Sequence, residues 1–132
     1  MPQTTRKEYL AANLETWRVL NGDALPFDEP AARRFLEASY NRTRDLAAAD
    51  HHDVAARQMT DDRLAPLSSI KAPTLVIHGT EDPLRPLPHG QALAEQISHA
   101  RLKVIPGMGH SLLSPGLPRR IGEIILEHTA SP

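Results

Sequence analysis

The sequence predicts an α/β fold, with a helical segment at residues 1–65 followed by a β-α-β-α unit at residues 66–132. Two observations carry this prediction. Up to about residue 65, apolar residues recur at helical spacing without β-branched runs, whereas two short apolar runs alternate with helical patterns after it. Two strands joined by a helix of this length form a parallel pair, so we expect a parallel sheet.

The first segment contains two predicted helices and a weaker third. A helix is expected over about residues 5–20, ended by the turn residues Asn21-Gly22-Asp23. Asp28 is expected to cap the second helix, since Glu29 and Pro30 after it suit a first helical turn. A weaker, alanine-rich helix is predicted over about residues 44–58. The apolar positions of the first two helices are Tyr9, Leu10, Leu14, Trp17 and Leu20, then Phe35, Leu36 and Tyr40.

The second segment alternates between strand and helix patterns. The run Pro73–Gly79 is rich in β-branched residues and bounded by Pro and Gly, which predicts a buried strand. A helix is expected over about residues 87–98, then a strand at Leu102–Ile105 and a final helix from about Pro118. The predicted apolar faces of these two helices are Leu93 and Ile97, then Leu117, Ile121, Ile124 and Ile125.

Composition excludes several classes of function. Lys plus Arg (15) nearly balances Asp plus Glu (16), which argues against a basic nucleic-acid-binding face. There is no cysteine, so neither a disulfide framework nor a thiol nucleophile is available. The N-terminal residues lead into no apolar signal region, and no apolar run approaches the roughly 20 residues that a spanning helix needs. We therefore expect a cytoplasmic protein with neither nucleic-acid nor membrane partners.

Two loops follow the predicted strands and carry residues that could act together. Asp82 lies in the loop after the first strand, and His110 lies in the loop after the second. Because functional groups gather at the carboxyl ends of parallel strands, we expect these side chains to form a hydrogen bond. A carboxylate that accepts the imidazole Nδ1–H orients the ring and stabilises the imidazolium formed during acyl transfer.

The motifs around these residues resemble those of the α/β-hydrolases. The segment Ala72–Leu84 is similar to the penultimate strand and acid loop of that family, and Ile105–His110 is similar to its histidine loop. Both motifs are similar to those of small-molecule esterases of the aclacinomycin methylesterase type. The resemblance is good over about residues 62–129 and weaker over residues 1–61, which would correspond to the helical cap.

The resemblance implies a partial α/β-hydrolase fold and a parent activity in which a Ser-His-Asp triad hydrolyses a small-molecule ester. His110 would be the general base and then the general acid, and Asp82 would orient it. No cofactor is implied.

The nucleophile of the family pattern is absent from this chain. The family places its serine on a G-x-S-x-G turn before the acid, and the 132 residues contain no such motif. Ser111 is expected to form loop hydrogen bonds instead. We therefore expect this chain alone to be inactive. It is either a fragment of a larger hydrolase or, as the alternative, a stand-alone reading frame that lost catalysis and serves as a non-catalytic interaction module derived from an α/β-hydrolase.

Two other chemistries are disfavoured by the sequence. Ser68-Ser69-Ile70-Lys71 matches the S-x-x-K motif of penicillin-recognising enzymes, but Pro73 would break the helix that the motif needs. A metal could be held by the trio His51-His52-Asp53 or by His78 with Asp82 and His110. Adjacent histidines on a helix point in different directions, so no metal site is expected.

The first predicted strand should have a free edge. In the parent fold, Thr74–Ile77 would lie between the strand at Leu102–Ile105 and a strand that this chain lacks. An unprotected apolar edge is a template for pairing with another chain. We therefore expect this edge to bind a second copy of the chain or the missing N-terminal half of the hydrolase.

Overall fold

The structure is a computed structural model that describes residues 5–42, 54–55, 58 and 66–130. Its elements are α1 (Arg6–Asn21), α2 (Glu29–Arg42), a 3-10 turn (Leu67–Ser69), β1 (Leu75–Gly79), α3 (Leu87–Gln96), β2 (Arg101–Ile105) and α4 (Leu117–Ala130). The strands form a parallel pair in which Leu75 lies opposite Arg101 and Gly79 lies opposite Ile105. The predicted α/β class and the β-α-β-α order are therefore confirmed.

The helices of the first segment begin and end close to where the sequence predicts. Thr5 and Glu8 form a reciprocal capping box at the start of α1, which ends at Asn21. Gly22 follows with a φ of 72°, a conformation that favours glycine. The Asp28 carboxylate accepts the Ala31 N–H at 2.9 Å and caps α2, as predicted. The weaker helix expected over about residues 44–58 falls largely outside the described residues.

Helices α1 and α2 pack on each other around a small apolar core of their own. Its buried members are Leu14, Ala32 and Leu36. The rings of Trp17 and Phe35 add an edge-to-face contact at 5.7 Å between centroids. Leu113, which follows the histidine loop, packs against the same core. The first segment is thus in direct contact with the second.

A second core lies beneath the sheet. Its members are Ile105, Met108, Leu117, Ile121 and Ile124, with Leu25, Leu75 and Ile77 packed against them. Helix α4 therefore covers the face of β1 that carries Leu75 and Ile77. His78 points to the opposite face, since strand residues alternate, and its ring lies against Gly90 of α3.

Some residues of the predicted apolar helix faces are exposed, among them Phe35 at 44%. Leu93 of α3 is 41% exposed and Ile125 of α4 is 45% exposed, although their neighbours Ile97 and Ile124 are buried. Two strands offer too narrow a sheet to cover the full apolar face of either helix. Among the described residues, β1 has a hydrogen-bonded neighbour on one side only. In the same part of the chain, no helix is long and apolar enough to cross a membrane.

Candidate active site

The two loops after the strands bring Asp82 and His110 together. The Nδ1 atom of His110 lies 2.8 Å from the Oδ2 atom of Asp82, so the expected hydrogen bond is present. β1 ends at Gly79 and β2 ends at Ile105, which lie opposite each other, so both loops begin at the carboxyl end of the sheet. The pairing follows from the parallel register, because the carboxyl ends of neighbouring strands lie side by side.

Backbone N–H groups of its own loop hold the Asp82 carboxylate in place, in addition to the contact with His110. Its Oδ1 atom accepts the backbone N–H groups of Leu84 at 2.9 Å and Arg85 at 2.8 Å. This arrangement is an Asx turn, and the Asp82-Pro83 sequence is typical of it. The side chain is only 7% exposed, and its second oxygen, Oδ2, is left to accept the imidazole proton.

These contacts set the ionisation of Asp82. Burial by itself would raise the pKa of this carboxyl. The hydrogen bonds from the Arg85 N–H, the His110 ring and the Leu84 N–H outweigh burial and hold the pKa of Asp82 below its usual range. Asp82 is therefore ionised at neutral pH and can only accept hydrogen bonds, so the proton between the two side chains must be on Nδ1 of His110.

The lowered pKa of Asp82 predicts how stability depends on pH. The folded chain binds the Asp82 proton more weakly than the unfolded chain, whose pKa is about 3.9. The stabilisation is therefore present above about pH 4 and is lost as the pH falls further. We expect Asp82→Asn to lower the free energy of unfolding by about 2 kcal/mol at pH 7, and the difference to shrink below about pH 4.

Urea unfolding of both proteins between pH 7 and pH 3 measures this difference. The pKa values of Glu8 and Glu29 are also lowered, but both proteins contain these residues. Their contribution to the pH dependence therefore cancels in the difference. A difference that stays constant down to pH 3 would contradict the prediction.

The opposite side of the His110 ring is available for chemistry. The ring is 41% exposed. No hydrogen bond to its Nε2 atom is formed by the residues that the structure describes. With the proton on Nδ1, the Nε2 atom carries a free lone pair and can accept a proton from a neighbouring hydroxyl group. The pair thus has the form of a general base held by its orienting acid.

Contacts between the two loops hold this geometry. The Glu81 N–H donates to the Met108 carbonyl at 3.0 Å, and the Gly107 N–H donates to the Thr80 hydroxyl at 2.8 Å. Gly79 lies directly against the Met108 carbonyl oxygen, with no room for a Cβ atom. Glycine at this position therefore allows the end of β1 to touch the histidine loop.

A trough of about 630 Å³ borders the pair. It runs from His110 along β1 to α3, and its apolar walls include Val76, Ile77, Leu93 and Leu112. Leu93 and Leu112 are 41% and 47% exposed, so the trough is open to solvent. Asp82 is the sole carboxylate among its lining residues, and it is already engaged by His110.

The described serines do not complete a triad. Ser111 is buried, and its hydroxyl donates to the Asn21 Oδ1 atom at 2.9 Å, so it is a loop hydrogen-bonder as predicted. Ser68 lies in the 3-10 turn, where its backbone carbonyl accepts from the Lys71 ammonium at 3.3 Å. No cluster of three or more metal-ligating side chains occurs within the described ranges. The trio at residues 51–53 lies outside them.

Sequence reasoning missed the residue that anchors the histidine loop. Asn21 was expected only to end a helix, yet it is 1% exposed and hydrogen-bonds to Ser111 and Ser114. The pair Asn-Gly carries a turn signal, and that signal contains no information about burial. The two serines that it binds lie about ninety positions further along the chain, so no spacing rule could have found this contact.

A protein family and two methylesterases are similar to this chain over most of its length. The family described as serine aminopeptidase, S33 (Hydrolase_4), matches residues 14–115. Rhodomycin D methylesterase DauP of Streptomyces sp. (strain C5) is 39% identical over 113 residues, covering 84% of this chain and 37% of that protein. Rhodomycin D methylesterase DnrP of Streptomyces peucetius is 38% identical over the same length and with the same coverage. The chain thus spans little more than a third of these relatives.

Solved structures share the fold. A serine hydrolase involved in carbazole degradation, the CarC enzyme, superposes with a TM-score of 0.67 at 18% identity, covering 98% of this chain and 49% of that one. A variant of the meta-cleavage product hydrolase CumD gives a TM-score of 0.59 at 16% identity, with coverages of 98% and 47%.

The family match begins at residue 14 and so extends into the helical segment, where the sequence resemblance was weak. The chain belongs to the serine aminopeptidase S33 family and has a partial α/β-hydrolase fold.

Proposed function

We propose that this chain supplies the acid and the histidine of a Ser-His-Asp ester hydrolase, whose nucleophile comes from a segment outside these 132 residues. The observation that carries the proposal is the 2.8 Å contact between Asp82 and His110. Within the described ranges the Nε2 atom of the ring has no hydrogen-bond partner, and the ring borders an apolar trough. The substrate is a small-molecule carboxylic ester of the methyl ester class, by analogy with the two methylesterase relatives.

In the proposed reaction, His110 moves one proton in each direction. Its Nε2 atom takes the proton of the serine hydroxyl while that oxygen attacks the ester carbonyl. The resulting imidazolium is stabilised by the Asp82 carboxylate and gives the proton to the departing methoxide, so methanol leaves and an acyl-enzyme remains. Water then adds to the acyl group while Nε2 of His110 takes one of its protons, and His110 returns that proton to the serine oxygen as the carboxylic acid leaves.

The proposed partner is a nucleophile-bearing segment of an α/β-hydrolase, docked along β1 and over the trough. The outer edge of β1 supports this, because among the described residues no strand pairs with it, and a row of unpaired backbone groups accepts an added strand. The apolar trough offers surface beside that edge for the same segment to bury. The solved relatives are about twice as long as this chain, which covers 49% and 47% of them.

His78 gives further support for docking at this place. Its side chain is buried, lines the trough, and has an Nε2 atom with no hydrogen-bond partner in the described part of the chain. A buried polar atom left without a partner costs about 1–3 kcal/mol. A hydrogen-bonding group on the docked segment would remove that cost.

The test compares the chain alone with the chain co-expressed with the portion of the DauP methylesterase that it does not match. We expect the chain alone to give no burst with p-nitrophenyl acetate and no fluorophosphonate adduct. With the added portion, the two should copurify and hydrolyse the ester, and the probe should label a serine of the added portion. The amides of residues 75–77 should become protected from hydrogen exchange only in the complex.

Two outcomes would overturn the proposal. A fluorophosphonate adduct on a serine of this chain, with burst kinetics, would show that the nucleophile is not supplied from outside. A stable complex without hydrolysis or labelling would instead support the non-catalytic interaction module. Exchange protection elsewhere than at residues 75–77 would place the partner on another surface.

A further inference from the structure

The end of α1 and the loop that carries His110 share a set of buried hydrogen bonds. Asn21 is 1% exposed, and its Oδ1 atom accepts the hydroxyls of Ser111 at 2.9 Å and Ser114 at 3.0 Å. Its Nδ2 atom donates to the Leu25 carbonyl at 3.0 Å, which fixes the orientation of the amide. Both acceptor sites of this oxygen are therefore used to hold the residues that follow His110.

The backbone on the other side of His110 is held by the same helix end. The His110 N–H donates to the Leu20 carbonyl at 2.7 Å. Gly109 packs so closely on the carbonyls of Leu20 and Asn21 that a Cβ atom would overlap them. The loop is thus fixed to α1 immediately before, at and after the histidine. By contrast, the ring itself is 41% exposed, and its single hydrogen bond within the described part of the chain is to Asp82.

We infer that Asn21 is a positioning residue for His110. By fixing Ser111 and Ser114, its amide sets the backbone from which the imidazole projects, and so keeps Nδ1 directed at Asp82. Without the amide, two buried hydroxyls lose their acceptor and the loop must move to regain one. When the loop moves, the His110 ring moves with it, and the hydrogen bond from Nδ1 to Asp82 is lost. The inference rests on the proposed function, because it concerns the same histidine.

The tautomer of His110 reports this role without any need for catalysis. In the full chain with ¹⁵N-labelled histidine, the His110 ring is expected to carry its proton on Nδ1, with a downfield Nδ1–H signal from the bond to Asp82. A His110→Gln spectrum assigns the signals. In Asn21→Leu, we expect the Nδ1–H signal to be lost and the Nε2–H form, which predominates in free histidine, to become the major one.

Asn13→Leu is the matched control, because Asn13 lies on the same helix and its amide donates to the Tyr9 carbonyl, four residues earlier in that helix, rather than to the histidine loop. It should leave the His110 tautomer unchanged while removing the same chemical group. Ser111→Ala combined with Ser114→Ala removes the two donors and, being milder, tests the inference even if Asn21→Leu does not fold.

The inference is overturned if folded Asn21→Leu, or the folded double serine variant, keeps the Nδ1–H signal of the unmodified chain. A merely structural role for Asn21 would lower stability and leave the tautomer of the folded protein as it was. An intact tautomer response in a complex that does not hydrolyse esters would count against the proposed function alone.

Discussion

Replacing His110 with glutamine is expected to lower the esterase activity of the complemented pair by about 10⁶-fold, because the serine loses its base. Asp82→Asn should lower it by about 10⁴-fold. The introduced amide NH₂ can take the place of Oδ2 and donate to Nδ1 of His110. The ring would then carry its proton on Nε2, where it cannot accept the serine proton. Steady-state hydrolysis of p-nitrophenyl acetate by the complex measures both effects.

Each substitution has a control of the same chemical type. His99→Asn changes an exposed histidine near the start of β2, at the end of the sheet away from the site, and its φ of 64° suits asparagine. Glu95→Gln converts an exposed carboxylate on α3 into an amide. Both should retain activity within about twofold, in line with surface substitutions that change stability by less than about 0.5 kcal/mol. Full activity in His110→Gln would remove His110 from the proposed mechanism.

The pairing of Asp82 with His110 could be predicted because it depends on topology. Each residue follows a β-branched run that ends in glycine or proline, and parallel strands bring such loops to one edge. Helix boundaries were also predictable, because capping at Asp28 and the turn at Gly22 are local features. Local chemistry and strand order together give the position of the candidate site.

Burial could not be predicted where it depends on neighbours. Leu93 has the same periodic position as a core residue, yet it faces the trough and is 41% exposed. Asn21 has the sequence of a turn residue, yet it is buried under the histidine loop. Helical periodicity identifies which side of a helix is apolar, but it does not say whether another element covers that side. The contact between α1 and residues 109–114 joins parts of the chain about ninety positions apart, and no local pattern encodes it.

Gly79→Ala is expected to destabilise the chain more than any other single methyl addition between the two loops. The added Cβ would overlap the Met108 carbonyl oxygen, which is part of the backbone and cannot rotate away as a side chain would. Overpacking of this kind costs about 3 kcal/mol or more. Relief requires the end of β1 to move away from the histidine loop, which breaks the bond from the Glu81 N–H to the same carbonyl.

Gly122→Ala is the matched control, because a Cβ at this position in α4 meets no atom within 4 Å. Alanine in a helix is favoured over glycine by about 1 kcal/mol, so this variant should be more stable than the unmodified chain. The same methyl group is thus predicted to have opposite effects at two glycines. Urea unfolding followed by circular dichroism measures both. If Gly79→Ala unfolded at the urea concentration of the unmodified chain, the close contact between the acid loop and the histidine loop would not exist in solution. Gly79 lies three residues before Asp82, and Met108 lies two residues before His110. Without this contact, another interaction would have to hold Asp82 next to His110.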